Sequence, residues 1–328
     1  MVSWWRRQRL KVTLSRSSSP NLYRSFLDQL LLRSSQNQNV VAVFNAGLRF
    51  YDNALEFAHA VANYMTSALD RGAGLIVFPE YFGNLLMGMA GEPIDLDDQS
   101  TLELIGMISP VLYSTYVDIF LQISAKTDAT IVGGTLAFVD NGKLVNRAFV
   151  FRRGNVILTQ DKAHLMPMEE KWGMSRGSRL GLFDVGTQKA GVLVCMDATY
   201  YEQARILENM GARLLIVPSA NPAPFYLGEQ IRGAWARAQT SQVFTAQSFL
   251  VGKLGSYVFE GKAGVYAPHN YTEDLSGIIA LSKKYDQEEV VTGELDYERL
   301  NRARQPRDFR FQAELSKFYQ SKLPLDRF

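Results

Sequence analysis

Ala190-Gly-Val-Leu-Val-Cys195-Met-Asp197 is an apolar run that closes on the only cysteine of the chain and then on an acid. A continuous Val/Leu run bounded by glycine reads as a strand covered on both faces. Open α/β sheets carry their chemistry just beyond the carboxyl ends of such strands. A nucleophile at Cys195 fits that placement, and so does a buried structural thiol, because free cysteine also behaves as a small hydrophobe.

Two further strand ends weigh toward chemistry. Gly74-Leu-Ile-Val-Phe-Pro79-Glu80 delivers a carboxylate, and Val156-Ile-Leu-Thr-Gln-Asp161-Lys162 delivers an ammonium. Either charge alone reads as a solvated strand terminus. Together with a thiol they meet a need, since a thiol of ordinary pKa, about 8.5, is mostly protonated at neutral pH and must be activated. Glu80 can take the proton and Lys162 can favour the anion.

These residues resemble the carbon–nitrogen hydrolase (nitrilase) superfamily, whose members carry Glu, Lys and Cys in this order. Pro79-Glu80-Tyr81-Phe82 is similar to its first block. Asp161-Lys162-Ala-His164-Leu-Met-Pro167-Met-Glu169-Glu170 is similar to its lysine block. Cys195-Met-Asp197-Ala-Thr-Tyr200-Tyr-Glu202-Gln-Ala-Arg205 is similar to its cysteine block. Leu215-Ile-Val-Pro218-Ser219-Ala220 resembles the next core strand. Met196, and Arg237-Ala238-Gln-Thr240-Ser241, depart from the family's common residues and blur the subfamily.

The resemblance implies an α/β fold, a four-layer αββα sandwich, and hydrolysis of an amide or carbamoyl bond, or less readily a nitrile, through a cysteine thioester. It implies Glu80 as base and Lys162 with the Met196 N–H as oxyanion donors. Tyr81, Asn84, His164 and Ser219 are expected around the substrate. A second glutamate supports the lysine in this family. Glu170, eight residues after Lys162, is preferred over Glu169. An N-acyltransferase with the same site, or an idle scaffold relative, are the alternatives.

The chain has 328 residues, 47% hydrophobic and 21% charged, with a net charge of +2. That is ordinary globular usage and gives no reason to expect nucleic acid. His59, His164 and His269 lack the short spacings of a zinc site, and no P-loop or G-x-G-x-x-G opens a helix. No metal or cofactor is expected. A lone cysteine suits a reducing, cytoplasmic location. The reading divides the chain into an extension at 1–39, a hydrolase domain at 40–304 and an arm at 305–328.

Within the domain, Asn53-Ala-Leu-Glu56 reads as a capped helix start ending near Gly72. A helix also follows Cys195, from Tyr201 to Met210. Leu104 to Ser124 is apolar enough to raise a membrane span, but Pro110 and Asp118 favour a covering helix. Asn141-Gly142 and Gly154-Asn155 read as hairpin turns. Tyr81 to Met89, rich in aromatics and Met, reads either as core or as the wall of an adaptable apolar site, which would favour amides with an apolar moiety.

The two ends carry the partner expectations. Phe309, Phe311, Leu315 and Phe318 give the arm more apolar surface than it can bury alone, so at least a homodimer is expected. Trp4-Trp5-Arg6-Arg7-Gln-Arg9-Leu10-Lys11 combines interfacial aromatics with cations, so residues 1–19 are expected to touch an anionic membrane surface peripherally. Leu22, Phe26, Leu30 and Leu31 read as a helical stripe packed on the enzyme or on a partner subunit.

Overall fold

The computed structural model describes residues 4–34, 37–92, 94, 99–255 and 257–305. The strands are β1 (Asn37–Gly47), β2 (Ala73–Val77), β3 (Thr130–Asp140), β4 (Lys143–Arg152), β5 (Asn155–Asp161), β6 (Leu182–Val185) and β7 (Gln188–Val192). They continue as β8 (Ala212–Ser219), β9 (Phe244–Leu254), β10 (Tyr257–Phe259), β11 (Gly264–Tyr266), β12 (Ile278–Leu281) and β13 (Glu289–Glu294). The order across the sheet is β5-β4-β3-β2-β1-β9-β8-β7-β6. The central strands run parallel, and β3-β4-β5 form antiparallel hairpins at one edge.

Alternation along the strands doubles this sheet over. Val41, Val43, Leu75, Val77 and Val132 share one buried cluster with Val192, Leu214 and Ile216 from the other half. Their neighbours point the opposite way. Ala42, Phe44, Ile76 and Phe78 pack on α3 (Ala54–Leu69) and α4 (Gln99–Ser124). Leu193, Leu215 and Val217 pack on the helices Tyr201–Asn209 and Ala236–Ser241. Three interfaces separate four layers, which is the expected αββα sandwich. Each buried Val or Leu contributes roughly 1.5–3 kcal/mol relative to exposure, so this alternation, repeated over many strands, fixes which face turns inward.

Local signals explain the element ends. The Asn53 side chain accepts from Glu56 N at 3.0 Å and starts α3. Asn141-Gly142 turns with φ of 48° and 79°, the left-handed pair that a two-residue hairpin requires. The second turn falls one residue earlier than expected, on Arg153-Gly154 (φ 48° and 72°), because Asn155 is already paired with Arg152 in the ladder.

The extension folds as α1 (Trp4–Ser17) and α2 (Pro20–Gln29) and packs on the domain. Leu10 and Leu14 of α1 join the same cluster as Phe82, Leu85 and Met89. Ser17 Oγ donates to Met89 O at 2.8 Å, and Arg6 Nε donates to Glu92 at 2.8 Å. Of the expected stripe, Phe26 and Leu30 pack on the core and Leu22 and Leu31 do not. Tyr23 and Leu27 are the buried positions, while Phe26 lies against His59 and Leu22 and Leu31 are exposed. The Tyr23 hydroxyl donates to Asp118 at 2.6 Å, so its ring can be buried beside Leu27 with its polar atom paired. Strand β1 also begins at Asn37, three residues before Val40.

Helix α4 contains a stretch, Thr101–Ser124, long and apolar enough to cross a membrane, of which half is buried inside the fold. Ile108, Leu112, Tyr116, Phe120 and Ile123 form its inner face. It is the covering helix that Pro110 and Asp118 predicted. Residues 306–328, with the apolar arm and its expected dimer contact, lie outside the described residues.

Candidate active site

Three strand ends converge. Glu80 follows β2, Lys162 follows β5, and both side chains are 1% exposed. Lys162 Nζ lies 2.8 Å from Glu80 Oε1 and 2.8 Å from Glu169 Oε1. Cys195 comes three residues after β7, as the first residue of the 3-10 turn Cys195–Thr199. Its φ is 47°, the left-handed region that side chains with a Cβ disfavour. The thiol approaches Asn221 Oδ1 at 3.6 Å and lies near enough to the Glu80 carboxylate and the Ala220 backbone to feel both.

Glu169 is held from four sides. It accepts from Lys162, from the Tyr81 hydroxyl in a very short bond, from Met166 N at 2.7 Å, and from Asn146 Nδ2 at 3.4 Å. Asn146 Nδ2 also reaches Glu80 Oε1 at 2.8 Å, and Asn146 O accepts from Lys162 N at 2.9 Å. This β4 residue was not singled out in the sequence. The available signal was an amide in mid-strand, where Asn is depleted.

Burial raises the Glu80 pKa, the Lys162 charge opposes it, and the Glu169 charge adds to it. Burial alone would lower Lys162, but Glu80, Cys195 and Glu169 hold its pKa above the ordinary value and keep it cationic. Burial and then the Glu80 charge raise the Cys195 thiol, against Lys162. The resting group is therefore a thiol beside a proton acceptor. Burial, with Glu169 next, keeps the Tyr81 hydroxyl protonated as a donor.

The structure corrects several assignments. Glu170, preferred as the second glutamate, is exposed and pairs with Arg176, whereas Glu169 sits on Lys162. Pro167 explains this. It opens the short helix α5 (Pro167–Lys171), making Met166 the N-cap and Glu169 the third residue, whose carboxylate reaches back to the cap N–H. Asn84 lines the cavity, but its amide is committed to Ala137, donating to O at 2.9 Å and accepting from N at 2.8 Å. Ser219 is fully buried and accepts from Gln247 at 2.9 Å; its neighbour Ala220 lines the cavity instead.

His164 is not among the cavity-lining residues either. It bonds Asp197 through Nδ1 at 3.0 Å and stacks on Tyr200. Asp197 also accepts from the N–H groups of Ala163, His164 and Val194, which ties the lysine loop to the cysteine turn. Met196 follows Cys195 in that turn. Helical N–H groups at a first turn lack intrahelical acceptors, so its backbone N–H is without a partner inside the turn.

A cavity of about 690 Å³ opens over the buried charges, within the range of small-molecule sites. Glu80, Lys162, Glu169 and Tyr81 form its polar end. Apolar side chains make most of the rest, among them Phe50, Leu85, Met87, Trp172 and Phe259. The 3-10 segment Phe82–Ala90 serves both expected roles, since Leu85 and Met87 line the cavity while Phe82 and Leu86 are core.

Fold and site together define a carbon–nitrogen hydrolase, and the chain belongs to that family, matching it over residues 40–305. It is 31% identical over 256 residues to the probable hydrolase YhcX of Bacillus subtilis, covering 76% of this chain and 48% of the relative. The chain thus spans about half the length of that protein. An (R)-stereoselective amidase of a Pseudomonas species is 27% identical over 260 residues, covering 79% and 85%. Among solved structures, Saccharomyces cerevisiae Nit3, a member of branch 10 of the nitrilase superfamily, superposes with a TM-score of 0.65 at 22% identity, covering 85% of this chain and 99% of that one.

Proposed function

We propose that this protein hydrolyses amides of apolar acids through a thioester on Cys195. The observation that carries this reading is one buried carboxylate, Glu80, hydrogen-bonded to the ammonium of Lys162 and close enough to the Cys195 thiol to raise its pKa.

Glu80 takes the Cys195 proton as the sulfur attacks the carbonyl carbon, giving a C–S bond and an oxyanion. Lys162 and the Met196 N–H stabilise that oxyanion, and each such donor is worth about 3 kcal/mol of barrier. Collapse breaks the C–N bond, and the leaving nitrogen takes the proton from Glu80. Glu80 then deprotonates water, which attacks the thioester and releases the acid while the proton returns to sulfur. Glu169 stays with Lys162 throughout and offsets its charge.

The apolar walls favour an aliphatic or aromatic acyl group over a short charged one. The test is an intact-mass measurement after incubation with a panel of neutral apolar amides, short charged amides, carbamoyl compounds and nitriles. An acyl adduct is expected on the wild-type chain with apolar amides and none on Cys195→Ala. Turnover without any adduct trapped at low pH or short times, and undiminished in Cys195→Ala, overturns the thioester.

A further inference from the structure

The extension and the remainder of the chain carry opposite charge. Residues 1–39 hold seven Lys and Arg against one Asp, a net +6, while residues 40–328 hold 28 basic against 32 acidic residues, a net −4. The family match begins at residue 40, so this cationic segment lies outside the hydrolase domain.

Helix α1 sorts those cations by face. Leu10 and Leu14 point into the core, and Arg6 is held by Glu92. Arg7, Arg9, Lys11 and Arg16 are exposed. Arg9 reaches Glu92 yet leaves 73% of its side chain in solvent, and among the described residues Arg7, Lys11 and Arg16 make no ion pair. Helical spacing puts Arg7 and Lys11 on one flank of the outer side and Arg9 and Arg16 on the other. Val12 lies between them and is 52% exposed. The sequence of α1 contains no acid. Two further apolar side chains of the extension, Leu22 and Leu31, are exposed as well, at 40% and 93%.

We propose that the outer face of α1 docks the protein on an anionic lipid bilayer. Long basic side chains flanking an exposed apolar position, on a helix whose other side is fixed to a rigid domain, match a headgroup layer that is negative above and apolar beneath. A nucleic acid offers the charge without the apolar layer, so the exposed Val12 between the cations favours the bilayer. Docking has a consequence for the pocket. The inner face of α1 packs on the segment that supplies Leu85 and Met87 to the cavity wall, so about one helix diameter, roughly 10 Å, separates that wall from the lipid.

The experiment is co-sedimentation of the full chain with phosphatidylcholine vesicles, with and without phosphatidylserine, at low and high salt. Binding is expected only with phosphatidylserine and falls at high salt. The double variant Arg7→Glu with Lys11→Glu lowers that binding about tenfold or more, while Lys283→Glu with Lys284→Glu, an equal charge change on an exposed loop of the domain, leaves most of it. Circular dichroism and turnover of a soluble amide are measured on both variants to confirm the fold. Equal binding to neutral vesicles, an equal loss in the two double variants, or tighter salt-sensitive binding to a duplex oligonucleotide than to the vesicles overturns the proposal.

Discussion

Asn146 Nδ2 donates to Oε1 of Glu80 at 2.8 Å, and Lys162 holds that same oxygen. The Glu80 carboxylate is therefore positioned by a neutral amide from β4, two strands away across the sheet. Asn146→Ala leaves Glu80 with one donor fewer, which favours its neutral form. The expected result is a fall in kcat/KM of about tenfold and an acid limb displaced to higher pH. An unmoved limb with the same loss of activity reduces Asn146 to a packing role.

The two adjacent glutamates separate cleanly. Glu169→Gln takes a carboxylate from a buried ammonium, a change that costs about 3–5 kcal/mol in such pairs, and kcat is expected to fall by about a hundredfold or more. Glu170→Gln breaks an exposed pair with Arg176, worth less than about 1 kcal/mol, and stays within about twofold of wild type. Steady-state kinetics on a neutral amide decide, and the opposite ranking returns the role to Glu170.

Activity and stability respond to Glu80 with opposite signs. Its pKa is raised on folding, chiefly by burial. Catalysis needs the carboxylate, so kcat/KM falls as pH drops through a value above the ordinary glutamate pKa of about 4.3. The folded state binds this proton more tightly than the unfolded one, so the Glu80 contribution is best at low pH and declines as pH rises from about 4.3 through the raised value. Lys162 behaves differently. Its raised pKa contributes stability that is present at neutral pH and is lost only as pH climbs through that value on the alkaline side. Parallel pH series of kcat/KM and urea midpoint check both signs; an acid limb at the ordinary glutamate value contradicts the first.

Leu10 and Leu14 are 4% and 6% exposed and pack on the segment that walls the cavity. Truncating either to Ala is expected to destabilise by about 2–4 kcal/mol, in the range for buried leucines. KM for large apolar amides rises more than kcat falls, because the wall and not the nucleophile loses support. Urea melts and substrate titration test this, and unchanged KM with lowered stability separates the helix from the pocket.

Glu80, Lys162 and Cys195, which the structure brings together, were readable because each stands at the end of an apolar run, and such runs declare strands and their ends. What the runs do not contain is rotation about a helix or pairing between strands. Glu169 and Glu170 differ by one residue, about 100° on α5, and only the N-cap geometry set by Pro167 chooses between them. Asn146 enters the site through the register of β4 with β3, which pairs it with Ala137. Ser219 and His164 lie beside the right motifs, yet each turns to a buried partner, Gln247 and Asp197, because an unpaired polar group in the core is costly. In the extension the apolar stripe was visible in part, but not that Tyr23 would turn inward, its ring buried and its hydroxyl on Asp118.

The left-handed backbone at Cys195 sets a price on keeping the nucleophile. A residue with a Cβ pays on the order of 1–3 kcal/mol for such a conformation, and glycine escapes it. Cys195→Gly is therefore expected to melt higher than Cys195→Ala, even though both lack the sulfur. A single base change separates cysteine codons from those of glycine, so a thiol-free turn relieved of this backbone strain lies one mutational step away. The thiol at this turn sits on a backbone whose own preference is for glycine.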